Sequence, residues 1–336
     1  MKFILLFTFS SFILACNATQ HQSKTKKSKI AYANTITADE LKTHLYFFAS
    51  DSMEGRMTGS KGQRMAAEYL RDFYVKEGIP SPIGKNEYFQ HIPESYFAGR
   101  NDPKASENVL AYIKGSEKPD EVIVISAHLD HVGMDSKGNV FNGADDDGSG
   151  TVALLEMAQA FNQAVKDGNG PKRSILFLHV TGEEIGLYGS RYYTENPIFP
   201  LANTVCNLNI DMIGRIDPDK KDNPNYVYLI GSNMLSQELQ DISTEMNDTY
   251  TKLELDYKFD DPNDPNRFFY RSDHYNFAKN NIPVIFYFNG IHEDYHKITD
   301  TPDKIEYDLL TLRTKLIFLT AWEVANREDR LAIDKK

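Results

Sequence analysis

The sequence predicts an α/β fold: one mixed, mostly parallel central sheet with helices on both faces, built as a single domain. Short runs rich in β-branched and aromatic residues recur at 107–113 (ENVLAYI), 121–127 (EVIVISA), 173–180 (RSILFLHV), 204–210 (TVCNLNI), 226–231 (YVYLIG) and 282–288 (IPVIFYF). They are continuously apolar rather than alternating, the mark of strands buried on both faces. Helical patterns fall between several of them, notably GTVALLEMAQAFNQAV, LSQELQDISTEMN and LLTLRTKLIFLTAWEVANR, so strand and helix alternate as in a covered parallel sheet. A chain of 336 residues, 41% hydrophobic, can bury such a core.

Taken in order, the first sixteen residues, MKFILLFTFSSFILAC, carry one Lys2, an apolar run over 3–15 and then Cys16. This is the pattern of a secretory signal, too short for a comfortable membrane span of about 20 residues. The string ILAC resembles the lipobox of bacterial lipoproteins. That resemblance implies a signal peptide over 1–15, acylation of Cys16 and a place in the cell envelope; the polar, Lys-rich, aperiodic residues that follow read as a tether, 16–35 with the cysteine, leading to a folded domain expected over 36–330. Cys206 is then the one remaining thiol, in an apolar run that suits a buried small hydrophobe.

Thr37 and Glu40 form a capping box opening a helix over 38–49, and GQRMAAEYLRDFYVKEG reads as a second amphipathic helix stopped by Gly78. The segment 80–105 and the acidic, Pro-rich DYKFDDPNDPNRFF are expected to be surface loops. Net charge is -11, which argues against a nucleic-acid surface.

In parallel sheets ligands collect beyond the carboxyl ends of strands, and here four of the six predicted strands lead into loops that supply a carboxylate or imidazole. His128 and Asp130 follow the 121–127 strand, with Asp145, Asp146 and Asp147 in the next loop. Glu183 and Glu184 follow the 173–180 strand, Asp211 the 204–210 strand, and His292, Glu293, Asp294 and His296 the 282–288 strand. Taken singly, each has a structural explanation: the two glutamates could cap the next helix, Asp211 could pair with Arg215, and His179 within its apolar strand reads as structural. Asp145, Asp147, Ser149 and Glu156 also fit the spacing of a calcium-binding EF-hand loop, but the helix that should precede such a loop is missing. So many carboxylates in one cleft require cations, and a histidine and carboxylate set without cysteine suits zinc.

The motifs HLDHVG, GADDDGSG, TGEEIGLYGSRYY, NIDMIG and DYHKITDT, in that order from about residue 107 to 303, resemble the co-catalytic two-zinc exopeptidases, the family of secreted bacterial aminopeptidases and glutamate carboxypeptidase II. EGRMTGSKGQRMAAEYL is similar to the segment preceding the core in bacterial members. The resemblance implies two Zn2+ per chain, bridged by Asp146, with His128 and Asp211 on one and Glu184 and His296 on the other. It implies Glu183 as general base, Tyr295 as a hydrogen-bond donor to the transition state, Asp130 orienting His128, and Asp273 in support. The implied substrates are peptides with a free N-terminus, and the implied membrane contact is through the lipid alone. Glutaminyl cyclases of the same superfamily have a tryptophan where Tyr295 stands and lack the GADDDGSG string. A carboxypeptidase would need a cationic cluster, for which Arg267 and Arg271 are the nearby candidates. A non-catalytic alternative is an envelope binding protein with a decayed site.

Overall fold

Thr37 caps helix α2 (Ala38–Phe48), its hydroxyl accepting from the Glu40 amide as the sequence predicts; the Glu40 carboxylate accepts from that same hydroxyl rather than from the Thr37 amide of a full capping box. Helix α3 (Lys61–Glu77) opens on Ser60 and stops at Gly78, whose φ of 69° is one a side chain would resist. The computed structural model describes residues 27–97, 99, 104–261 and 263–335. The expected signal peptide, Cys16 and most of the tether lie outside them. One helix precedes the predicted domain start: α1 (Lys29–Ala33) buries Tyr32 and Ala33, with Tyr32 stacked 5.4 Å from Trp322. The folded region therefore begins inside the expected tether, because two apolar side chains there find a core to join.

Strands β1 (Phe89–Ile92), β2 (Ser106–Ile113), β3 (Lys118–His128), β4 (Arg173–Val180), β5 (Thr204–Ile210), β6 (Tyr226–Ile230), β7 (Glu254–Asp256) and β8 (Val284–Phe288) form one sheet in the order β1-β2-β4-β3-β5-β8-β6-β7. The centre, β4-β3-β5-β8, is parallel, and antiparallel pairings occur toward both edges. The six predicted strands are present, and their continuous apolarity has its expected cause: residues at alternate positions enter cores on opposite faces. Ile123, Ile125, Ile175 and Phe177 pack with α2, α3, α4 (Gly150–Lys166) and α8 (Tyr307–Asn326), whereas Val122, Val124, Leu176 and Leu178 pack with Tyr193 of α5 (Tyr188–Glu195) and Phe277 of α7 (His274–Ala278).

Both segments expected to be surface loops contribute more than surface. The 80–105 stretch supplies β1 and a buried Phe97, and the Pro-rich stretch buries Phe259 and Phe268. Their polar, Pro-rich composition hides single apolar anchors. Cys206 is fully buried, its thiol pushed up to about 12 by that burial, and His179 is fully buried with Nε2 2.7 Å from the Tyr74 hydroxyl. Among the described residues no helix is long and apolar enough to cross a membrane.

Candidate metal centre

The parallel strands β3 and β5 end side by side, which brings His128 and Asp211 together. His128 Nδ1 lies 3.0 Å from the backbone carbonyl of Asp130, leaving Nε2 3.1 Å from Asp146 Oδ1 and 3.6 Å from Asp211 Oδ1. From the other side, His296 Nε2 sits 3.0 Å from Asp146 Oδ2 and 3.0 Å from Glu184 Oε2. The two oxygens of Asp146 thus face two different groups of donor atoms. His128 Nε2, Asp146 Oδ2 and Glu184 Oε1 are buried with no hydrogen bond to satisfy them among the described residues. Lone-pair atoms massed in this way, all nitrogen or oxygen, fit divalent cations such as zinc.

The three aspartates of the acidic loop separate by their partners. Asp147 Oδ2 accepts from the His128 amide at 3.0 Å, and Oδ1 accepts from the amides of Gly150 and Met212 at 3.0 and 3.1 Å. Its oxygens come close enough to His128 and Asp211 to complete a ligand triad, yet backbone donors already hold them. Asp145 accepts from the Gly214 amide at 2.6 Å and faces His292 Nε2 at 3.2 Å. Only Asp146 keeps its carboxylate for the centre, presented across a cis Asp146–Asp147 peptide. The calcium-loop pattern is not realised: Asp145 and Asp147 brace the loop, β3 stands where an EF-hand needs a helix, and Glu156 is buried on α4, 3.5 Å from His44 Nε2.

The charges are interdependent. Burial acts to raise Asp146, but its contacts with His128 and His296 outweigh this and hold it well below the usual carboxylate range. Burial acts to lower His296 as well, and Asp146 and Glu184 overcome it, bringing the ring to about 10. Protons on these imidazoles are what an incoming cation would displace. Glu183 differs: burial pushes its carboxyl well above the ordinary range. It lines the same pocket as Asp146, Asp211 and Tyr295.

The expected site residues thus converge, with corrections in their surroundings. For His128 the nearer partner is the carbonyl of Asp130, its carboxylate Oδ1 being 3.7 Å away. That carboxylate instead accepts from Thr58 Oγ1 at 2.7 Å and from the Glu183 amide at 3.2 Å, so it positions the Glu183 loop. Asp211 does not pair with Arg215, which reaches Asp294 at 2.9 Å. Neither Glu183 nor Glu184 caps α5, whose first turn has no side-chain cap. Asp273 is fully buried, accepts from Ser190 Oγ, and is raised by burial to about 7. The Tyr295 ring stacks on His296 with centroids 3.9 Å apart.

Several residues that hold the centre were not legible as such. Arg56, fully buried, donates to the carbonyls of Leu129, Phe48, Asn142 and Gly143 at 2.7–3.1 Å and so ties the His128 loop to the aspartate loop. Arg313 does the same beyond β5, donating to Ile213 and Arg215. A buried relay joins the strands to Asp211: Ser126 bonds Asn209, Asn209 bonds Ser272, and Ser272 Oγ donates to Asp211 Oδ2 at 2.7 Å. Fully buried His131 points Nδ1 at Glu184 Oε1, 2.7 Å away. Its place in the HLDHVG motif was the available signal.

Residues 108–321 match the profile of Peptidase family M28. The chain belongs to that family. Aminopeptidase NAALADL1 of Mus musculus is 35% identical over 115 residues, covering 34% of this chain and only 14% of that protein. Among solved structures, the LapA aminopeptidase of Legionella pneumophila superposes with a TM-score of 0.70 at 20% identity, over 98% of this chain and 81% of that one. A glutaminyl cyclase of Bacteroides thetaiotaomicron gives 0.65 at 18% identity, over 88% and 99%. At these identities the structural likeness is one of fold.

Proposed function

We propose that the protein is a zinc-dependent aminopeptidase that releases N-terminal residues from peptides. The single observation that carries this reading is the double-faced Asp146, with Oδ1 toward His128 and Oδ2 toward His296. His128, Asp146 and Asp211 would hold one ion, and Asp146, Glu184 and His296 the other. When bound, such ions supply Lewis acidity and lower the pKa of a shared water.

The chain's own residues supply the rest. Glu183 lies in the pocket without serving either donor group, and its raised proton affinity suits a base that takes a proton from the attacking water and returns it to the leaving amine. The Tyr295 phenol, kept protonated by burial and by the carboxylates around it, can donate to the oxyanion formed at the scissile carbonyl. Met212, Phe268, Phe286, Phe288 and Ile291 wall the same pocket, which favours an apolar N-terminal side chain. Of the two candidate arginines for a terminal carboxylate, Arg271 alone lines it, whereas Arg267 lies in a separate pocket with Asp261 and Asp264; this weighs against a carboxypeptidase.

The test is to offer zinc-loaded protein free-amine and N-blocked peptides. Cleavage confined to free amines is expected, and equal cleavage of blocked peptides would overturn the reading. Pyroglutamate and ammonia from N-terminal glutamine peptides, without hydrolysis, would favour the cyclase. From the ILAC string we also propose lipid anchoring at Cys16. Labelled palmitate should enter the full chain but not the Cys16→Ser variant, and an unlabelled full chain would refute the anchor.

A further inference from the structure

His131 has no place in the site as read above, although it is as buried as any ligand. Its ring lies edge-on to His296, with centroids 5.6 Å apart at 71°. Nδ1 is 2.7 Å from Glu184 Oε1 and 3.8 Å from Asp146 Oδ2. Neither ring nitrogen finds a backbone carbonyl or hydroxyl partner among the described residues. A histidine that merely filled space would be expected to satisfy its ring by such a bond; the Nδ1 of this one faces two carboxylates instead.

The ring is also fixed in place. Gly143, at φ +56°, presses on it so closely that a Cβ there would stand 2.5 Å from His131 Cγ. The His131 amide donates to the Arg56 carbonyl at 3.2 Å, and the Arg56 side chain in turn holds Leu129 and Gly143. The imidazole is therefore clamped from both loops, and the soft partner in the 2.7 Å contact is Glu184.

We propose that His131 is a positioning residue: its Nδ1, in 2.7 Å contact with Glu184 Oε1, holds that oxygen so that Oε2 turns toward His296, and it thereby sets the affinity for the ion of that half alone. The inference rests on the two-ion reading. Asp211 has its own holder in Ser272, and His128 its own in the Asp130 carbonyl, so the first half does not depend on His131. Glu184 has no hydroxyl or amide donor to its carboxylate among the described residues.

The experiment is zinc titration of the metal-free full chain against a competing chelator, resolving two binding constants, for wild type, His131→Leu and His131→Asn. Leucine removes the donor at similar volume. Asparagine returns an N–H near the place of Nδ1–H. Loss of a group that orients a ligand typically costs about 10- to 100-fold in metal affinity. His131→Leu should weaken one constant by about that factor and leave the other within about twofold, and His131→Asn should recover most of the loss. Unchanged constants in His131→Leu would overturn the proposal, as would equal loss of both constants or an asparagine variant no better than leucine. A wild-type chain that saturates at one zinc would overturn the two-ion reading itself, and the inference with it.

Discussion

The two halves of the metal centre use the same kinds of ligand but are held by different means. His128 and Asp211 stand at the ends of adjacent parallel strands, 1% and 8% exposed, and each is oriented by a group of its own, the Asp130 carbonyl and the Ser272 hydroxyl. Glu184 and His296 come from loops. His296 is 37% exposed, has a left-handed φ of 54°, and makes no hydrogen bond through Nδ1 among the described residues. In one half the sheet register has already fixed the donor groups; in the other, on the proposed two-ion reading, an ion would bear the entropy of ordering a loop side chain. On that reading the first half would hold its ion more tightly, and the second would be where affinity is tuned.

The strongest way to break that contrast is at Asp146, which both halves share. Asp146→Asn should lose zinc from both, and elemental analysis still finding two ions per chain would remove its bridging role. Glu183→Gln comes next: it should keep two zincs while kcat falls about 10²- to 10⁴-fold, the range for a lost general base. Full activity there would place the proton transfer elsewhere. Ser272→Ala sharpens the contrast as the counterpart of the His131 variants. It should weaken only the tighter zinc constant, by about tenfold, since it strips Asp211 of its holder. Equal loss in both halves would mean they are not separable.

Arg56→Met tests what the halves have in common. It removes the donor to four carbonyls on converging segments, and should cost about 2–4 kcal/mol in urea denaturation, since buried acceptors lose a charged donor. A variant as stable as wild type would show that the loops stand without this clamp.

Glu156→Gln is the control outside either half. Burial, with Glu40 adding to it, raises Glu156 to about 8 from the usual 4.5. The folded chain therefore keeps a proton that the unfolded chain releases between those values. The associated stability is present below about pH 4.5 and lost as pH rises through about 8. Glutamine should leave zinc binding and stability at pH 4.5 nearly unchanged, and stabilise the metal-free chain at pH 9 by up to about 5 kcal/mol. No gain at pH 9 would show that Glu156 is relieved of its charge by other means.

Much was readable from residue order. Strands appeared because apolar runs of the right length alternate with helical patterns, and the convergence of polar groups because carboxylates and imidazoles recur at strand ends. The edge strands β1 and β7 were not readable, being only four and three residues long and interrupted by polar side chains. Nor was the fate of Arg56, whose EGRMTG neighbours give no hint that the guanidinium will be fully buried. The partner of Arg215 was not readable either: sequence proximity offered Asp211, while the fold delivers Asp294 from 79 residues away.

By itself the sequence determined which chemistry this chain can carry, because the identity and order of donor groups is a one-dimensional property. Only the tertiary structure decided which of three neighbouring aspartates is left free. Asp145 and Asp147 are consumed by the amides of Gly214, His128, Gly150 and Met212, three of which come from other segments that pack against the loop. A carboxylate is left available as a ligand here by being spared, and sparing depends on where distant backbone amides point.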